Sequence, residues 1–163
     1  DIQIESTEIS NVVDGTHHFS RTVTLGTSQI QSALSRAMNL PPSRNADLLE
    51  GMSIPSGPMG GSPKGMNPGV AAMLRVVGEL SDELRRSIDF YLNQGEDMEI
   101  AQLLLAGPGG AIGNLDEFFS QRLGLPASVI DPVDSLAIEL DEEISLAERS
   151  RLATVLGLGL REV

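Results

Sequence analysis

The chain has 163 residues, a length suited to one ordinary domain with a full hydrophobic core. Its formal net charge is −12 without a dense basic cluster, so we do not expect a surface that binds the phosphate backbone of a nucleic acid. Cysteine is absent, which excludes disulfides and thiolate chemistry. No apolar run approaches the roughly 20 residues that a membrane-spanning helix needs, so direct membrane insertion is not expected.

The first 25 residues alternate apolar and polar side chains, as short β-strands do. The pair Asp14-Gly15 is a strong hairpin signal between two such runs. In the run that follows, Phe19 and Val23 share one side with Arg21, which interrupts an otherwise apolar face. The pattern predicts a three-stranded antiparallel meander. The chain starts at Asp1 without an initiator methionine, so we expect a piece of a longer protein.

Helical spacing begins after Gly26, where Thr27 or Ser28 can cap a helix that runs to Met38. A second short helix is predicted within residues 43–50. Residues 52–68 are rich in glycine, proline and methionine and show no periodicity, which predicts a flexible loop. A partner-binding lid that uses the methionines is the alternative interpretation.

The longest periodic segment runs from Val70 to Tyr91, where apolar side chains recur every three or four residues. This spacing predicts one helix of roughly 25 residues. Its other face carries acidic residues and arginines, among them Glu83 and Arg86, as a solvated face with ion pairs would.

A glycine-rich turn joins a predicted buried strand, 101–105, to a predicted helix, 115–123. Its glycines are Gly107, Gly109, Gly110 and Gly113. Such a turn lets a nucleotide approach the backbone at a helix N-terminus, but a tight connection without a ligand has the same pattern. Both interpretations stay open, because neither a dinucleotide fingerprint nor a Walker A motif is present. A further short strand is expected at 127–130.

No catalytic set emerges from the remaining residues. His17 and His18 are adjacent, so on a strand they would face opposite sides and not share one metal ion. Residues 131–143 hold several acids, which we interpret as a solvated loop; a divalent-cation site is the alternative. Ser145 can cap a last helix in which four apolar side chains would face inward: Leu146, Leu152, Val155 and Leu156.

Four stretches, in this order, resemble the second half of PilM-type pilus assembly proteins, which belong to the actin-like ATPase superfamily. They are Phe-Ser-Arg-Thr-Val-Thr-Leu-Gly at 19–26, Glu-Leu-Arg-Arg-Ser-Ile-Asp-Phe-Tyr at 83–91, Leu-Leu-Leu-Ala-Gly-Pro-Gly-Gly-Ala at 103–111 and Leu-Ala-Thr-Val-Leu-Gly-Leu-Gly-Leu-Arg at 152–161. The resemblance implies an α/β fold: one actin-like, ribonuclease H-like half. The strand meander and the parallel strands would lie in one sheet packed by helices, as a single domain fragment over 1–163.

The resemblance also implies the place of an adenine nucleotide, ATP or ADP with magnesium, in the complete protein. The adenosine would lie near Gly107, Gly109, Gly110, Glu83 and Arg86, and the phosphates near Ser6 and Thr7. The family's Asp-x-Gly hairpin maps onto residues 1–3, where Gln3 replaces the glycine. Two further glycines of the pattern are replaced by Thr27 and Pro108. These departures imply a weak or vestigial site, with no nucleotide tightly bound to this fragment.

The function that the resemblance implies is a cytoplasmic adaptor of the type IV pilus platform at the face of the inner membrane. Its partners would be the tail of a PilN-type membrane protein, through the missing half, and other platform proteins. Catalysis by this chain is not expected. The alternative is a fragment of an actin-superfamily ATPase or kinase with its catalytic half upstream; an acidic α/β interaction domain without a ligand is a third possibility.

Overall fold

The computed structural model describes residues 1–41, 51–55, 66–94, 99–110 and 112–160. The short helix predicted within 43–50 lies outside the described residues. The elements are β1 (Thr7–Val13), β2 (Thr16–Val23), α1 (Thr27–Met38), α2 (Pro68–Leu92), β3 (Leu103–Leu105), α3 (Leu115–Leu123), β4 (Ala127–Val129), α4 (Pro132–Ser135), α5 (Leu146–Arg151) and α6 (Ala153–Gly159).

Strands β1 and β2 form the predicted hairpin. They pair antiparallel from Thr7 opposite Val23 to Val13 opposite Thr16. Both turn residues have positive φ, 49° at Asp14 and 75° at Gly15, a conformation that Asn, Asp and Gly tolerate best. The hairpin prediction is therefore confirmed.

The expected third strand of the meander is reduced to an isolated bridge between Ile2 and Thr7. The N–H of Gln3 donates to the carbonyl of Ser6 (2.9 Å), and this tight turn leaves too few residues for a ladder. Among the described residues, β1–β2 and β3–β4 are two-stranded ladders that are not paired directly with each other. Ile2 connects the two sheets, because its N–H donates to the carbonyl of Ala106 (2.9 Å).

Helix α2 is the long helix that the periodicity predicts, and it packs along α1. Asn67 caps it by accepting a hydrogen bond from the N–H of Gly69 (2.8 Å), and Pro68 occupies the first turn. A Cβ at Gly69 would lie 2.7 Å from Sδ of Met38 and 2.8 Å from Cδ1 of Leu34. The absence of a side chain at Gly69 thus brings the two helices close together.

Strands β3 and β4 run parallel, with Leu103 opposite Ala127 and Leu105 opposite Val129. Both strands are shorter than the spans predicted for them. Helix α3 connects them over the predicted residues and places Phe119, which is fully buried, in the core. This strand–helix–strand unit holds the glycine-rich turn at the carboxyl end of β3.

Packed structure extends further into the predicted loop at 52–68, from both ends, than the sequence indicates. Ser53 forms a parallel bridge with Gly113, and Ile54 is buried in the core. The carbonyl of Ile54 also accepts a hydrogen bond from Nδ2 of Asn114 (2.8 Å). At the other end α2 already begins at Pro68. Residues 56–65, and with them the lid interpretation, lie outside the described residues.

The last predicted helix consists of two short helices, α5 and α6. Ser145 caps α5 as predicted: its Oγ accepts from the N–H of Glu148 (3.3 Å), and its N–H donates to the Glu148 carboxylate (2.9 Å). The inward orientation expected of Leu146 and Val155 is wrong, since they are 39% and 66% exposed, whereas Leu152 and Leu156 are half-buried. Leu152, whose backbone is in the right-handed helical region, separates α5 from α6, and α6 has no buried residue.

Candidate functional site

The glycine-rich turn is packed against the first three residues of the chain. Gly107 has φ +78°, and a Cβ there would lie 2.2 Å from Oδ1 of Asp1. A Cβ at Gly109 would lie 2.2 Å from Cγ2 of Ile2. Gly107, Gly109 and Gly110 are all buried. In this arrangement the glycines permit close approach by the chain itself.

Several backbone donors of this turn, including the N–H groups of Gly109 and Gly110, are already used within the protein. The N–H of Gly109 donates to the carbonyl of Ile2 (3.0 Å), and that of Gly110 donates to the carbonyl of Gly107 (3.0 Å). Pro108 has no N–H to offer. The N–H of Ile112 donates to the carbonyl of Gly109 (3.3 Å). A phosphate or an adenine that needs donors here would have to displace hydrogen bonds within the protein.

Gln3 occupies the space beside the turn where the family pattern has glycine. Its Nε2 donates to both carboxylate oxygens of Asp1, at 2.8 and 2.9 Å. The same Nε2 lies 3.2 Å from the position of a Cβ on Gly107. The Gln3 amide therefore holds the Asp1 carboxylate against the glycine turn.

The start of α1 is closed by the same segment. The N–H groups of Thr27 and Ser28 donate to the carbonyls of Gln3 and Ile4, both at 2.9 Å. A Cβ at Gly26 would lie 2.5 Å from each of these carbonyl oxygens. Free N–H groups at a helix start often bind anions. Here the N–H groups of Thr27 and Ser28 are bonded to carbonyl groups of the protein itself.

Ser6 and Thr7, predicted at the phosphate hairpin, lie beside this closed helix start. Thr7 is buried, and its Oγ1 donates to the carbonyl of Leu25 (2.6 Å), so its hydroxyl stabilises the fold locally. Ser6 is half-buried, and its backbone N lies 2.7 Å from the position of a Cβ on Gly26. The structure thus brings Ser6 and Thr7 near residues 1–3 and the start of α1.

Glu83 and Arg86, predicted around the adenosine, lie on α2 where it faces β2. One carboxylate oxygen of Glu83 accepts from Arg21 (2.7 Å) and the other from Arg86. Arg21 also donates to Oγ of Ser87 (3.4 Å). Among the described residues no hydrogen bond or ion pair connects this cluster to the glycine turn. In the sequence, this cluster was indicated by Arg21, the charged residue that interrupts the apolar face of β2.

Helix α5 covers the turn at the carboxyl ends of β3 and β4. Oγ of Ser150, a buried residue, donates to the carbonyl of Gly107 (3.2 Å). Arg149 pairs with Asp131, which follows β4, at 3.0 Å. Asp131 also accepts from the N–H groups of Val133 and Asp134. The sequence pattern did not indicate these contacts, which tie the last helices to the turn.

Metal binding finds no support in the described part of the chain. No group of three or more His, Asp or Glu side chains is placed to hold an ion there. Asp141, Glu142 and Glu143 are exposed, whereas Asp131 caps α4 and pairs with Arg149. Across the same described residues, none of the helices combines the length and the apolar character needed to cross a membrane.

The family model described as type IV pilus assembly protein PilM matches residues 1–163. The chain belongs to the PilM family. A search of curated proteins found no match.

Two solved structures show the fold of this PilM-family chain. One, described as a PilM-PilN type IV pilus biogenesis complex, superposes with a TM-score of 0.74 at 23% identity, over 98% of this chain and 44% of that chain. The other is the ethanolamine utilization protein EutJ from Carboxydothermus hydrogenoformans, with a TM-score of 0.67 at 14% identity, over 98% of this chain and 46% of that one. The expected α/β, actin-like fold is confirmed, and the chain spans less than half the length of either protein.

As arranged in this PilM-family chain, the residues expected around a nucleotide do not fit one. The three glycines of the turn are buried, and the N–H groups of Gly109, Thr27 and Ser28 are bonded to residues 2–4. The Asp1 carboxylate, the kind of ligand that magnesium takes, is held by the Gln3 amide. The assignment of these positions to a nucleotide site stays a prediction.

Proposed function

We propose that this chain is one actin-like lobe of a cytoplasmic adaptor of the type IV pilus assembly platform, positioned at the face of the inner membrane. Its adenine-nucleotide site is weak or vestigial, and the chain acts by binding partners and not by catalysis. The PilM family match over the whole chain supports the pilus role. The observation that supports the vestigial site is the Asp1–Gln3 contact against Gly107.

The physical reason for a weak site is competition. A nucleotide that approached Gly107 would have to displace the Gln3 amide, and hydrogen bonds to a charged group contribute about 1.5–3 kcal/mol each. It would also have to separate Ile2 from Gly109, since these two residues are in close contact. Glycine at position 3 would leave that space open.

The proposed partner is the cytoplasmic tail of a PilN-type membrane protein. The structurally similar PilM protein was solved as a complex with PilN. This chain spans 44% of that protein, and the tail contact that the resemblance implies lies on the remaining part.

Nucleotide binding is tested by calorimetric titration of the full-length protein with Mg·ATP and Mg·ADP. We expect a dissociation constant of about 1 mM or higher. This corresponds to a binding free energy of about −4 kcal/mol or weaker. The double variant Gln3→Gly/Pro108→Gly should bind more tightly, because it removes the amide and adds an N–H donor. Gln102→Gly, at an exposed position, is the control. Micromolar binding by the unchanged protein, or ATP turnover, would instead support an actin-superfamily ATPase or kinase.

Partner binding is tested by co-purification of the full-length protein with the cytoplasmic tail of the PilN-type protein encoded by the same organism. We expect a stable complex that forms equally well with and without Mg·ATP. A complex that requires nucleotide would contradict the vestigial site, and absence of any complex would contradict the adaptor role.

A further inference from the structure

A groove of about 660 Å³ lies between helices α1 and α2, and neither residues 1–3 nor the glycines of the turn line it. We call it the helix groove. Leu25, Ala33 and Val76 form its apolar floor, and Arg36, Arg75 and Glu79 are the charged residues that line it. Its volume falls within the range of about 300–1,000 Å³ that is typical of ligand sites.

The two arginines of the helix groove have no acidic partner among the described residues. By contrast, Arg21, Arg86, Arg122 and Arg149 each form an ion pair. Within the described part of the chain, Arg36 donates from Nε to the carbonyl of Ser32 (3.2 Å).

Glu79 lies one helical turn after Arg75, yet these two described residues do not form an ion pair with each other. One acid against two guanidinium groups leaves the helix groove positive, although the chain as a whole carries −12.

The pairing of charge with an apolar floor decides what kind of ligand fits. An arginine guanidinium binds a carboxylate with two parallel hydrogen bonds. Arg36 lies on α1 and Arg75 on α2, so they can hold carboxylates at two points of one ligand. A free phosphate ion would leave Leu25, Ala33 and Val76 without a contact. An acidic peptide with apolar side chains would use both features.

We propose that the helix groove binds a short acidic peptide segment of a partner protein, with its carboxylates on Arg36 and Arg75 and an apolar side chain on the floor. None of the residues predicted around the nucleotide lines this groove, although Ser28, at the start of α1, does. The proposal does not require a PilN-type tail. Binding weakens as the ionic strength rises, because both arginines are exposed to solvent.

The test measures fluorescence anisotropy of a labelled peptide of alternating glutamate and leucine, titrated with the full-length protein. We expect saturable binding that the variant Arg36→Glu/Arg75→Glu weakens by at least about tenfold, since attraction becomes repulsion. The control variant Arg85→Glu/Arg151→Glu makes the same change in net charge at two exposed arginines outside the groove, and should weaken binding by less than about twofold.

Folding of both double variants is checked by circular dichroism and melting temperature, and Arg36→Gln/Arg75→Gln provides a milder groove variant that should also weaken binding. Four results would overturn the proposal. They are absence of saturable binding, an equal loss in the groove and control variants, equal binding of a lysine–leucine peptide, and displacement of the acidic peptide by inorganic phosphate at comparable concentration.

Discussion

Two regions of this chain differ in how they use their polar groups. In the first, which we call the glycine cradle, residues 1–4 pack against Gly26, Gly107 and Gly109, and the N–H groups of Gly109, Thr27 and Ser28 are bonded to residues 2–4. In the helix groove, Arg36 and Arg75 face solvent without an ion pair among the described residues. A glycine motif suggests a ligand site in the sequence, but its N–H groups at Gly109 and Gly110 are bonded within the protein, whereas Arg36 and Arg75 form no ion pair with a described residue.

The largest expected effect comes from adding a methyl group in the glycine cradle. Gly26→Ala would place Cβ 2.5 Å from two backbone carbonyl oxygens, and Gly109→Ala would place it 2.2 Å from Cγ2 of Ile2. Overpacking of this kind costs about 1–3 kcal/mol. At Gly26 the obstructing atoms belong to the backbone, which cannot move aside as a side chain can. We expect urea unfolding midpoints to fall for both variants.

Gly78→Ala is the matched control, because no atom lies within 4 Å of its Cβ position on α2. It should stabilise the chain by about 0.5–1 kcal/mol through helix propensity. If Gly26→Ala and Gly109→Ala behaved like Gly78→Ala, the cradle would not be packed, and its glycines would be free for a ligand.

The buried hydroxyl beside the cradle gives the next effect. Thr7→Val keeps the shape of the side chain but leaves the carbonyl of Leu25 without its 2.6 Å hydrogen bond. We expect a loss of about 1 kcal/mol in the free energy of unfolding. Thr24→Val, at an exposed position, should change it by less than about 0.5 kcal/mol. Equal changes in the free energy of unfolding for the two variants would mean that the Thr7 hydroxyl does not stabilise the fold. It would then be available for the phosphate contact that the resemblance implies.

A smaller effect concerns the cap of α5, the helix that covers the cradle. The N–H of Ser145, followed by its hydroxyl, stabilises the carboxylate and lowers the pKa of Glu148 below its usual range. The folded-state pKa is thus below the unfolded one, so this stabilisation is present at neutral pH and is lost as the pH falls through the folded-state pKa.

Comparison of unfolding midpoints at neutral and acidic pH checks this cap. The difference between the unchanged chain and Glu148→Gln should shrink as the solution becomes acidic. Glu142→Gln, at an exposed acid, is the control and should behave like the unchanged chain. A gap that stays constant with pH would show that the Glu148 charge does not stabilise the cap.

The smallest effect on stability is expected in the helix groove. Arg36→Gln/Arg75→Gln should change the free energy of unfolding by less than about 0.5 kcal/mol, since both side chains are exposed and form no ion pair with a described residue. A clear destabilisation would mean that the two arginines support the fold, and the contrast with the cradle would be lost.

Periodicity and turn chemistry were enough to predict much of the fold. The long helix α2, the bounds of α3, the β1–β2 hairpin and the cap at Ser145 all follow from local patterns. Local patterns were not enough where burial depends on distant partners. Ile54 lies in a segment that reads as a loop but is buried, whereas Val155 lies in a periodic segment but is exposed.

The candidate site shows the same limit. The sequence located the glycine turn, and the resemblance placed Ser6, Thr7, Glu83 and Arg86 around a nucleotide. The structure puts Glu83 between Arg21 and Arg86 and closes the turn with residues 1–3. A contact across 62 residues, as between Arg21 and Glu83, leaves only a faint trace in sequence: one charge on an apolar face.

By itself, then, the sequence determined the acidic, cysteine-free composition, the α/β fold class and the positions of the principal helices. It also carried the family resemblance that the comparisons confirmed. These properties follow from residue types and short-range spacing. Only the tertiary structure decided which glycines touch their own chain and which arginines are left without an ion pair within the described residues. The glycine contacts and the ion pairs both depend on distances between segments that are far apart in sequence. Those distances are set only when the chain folds.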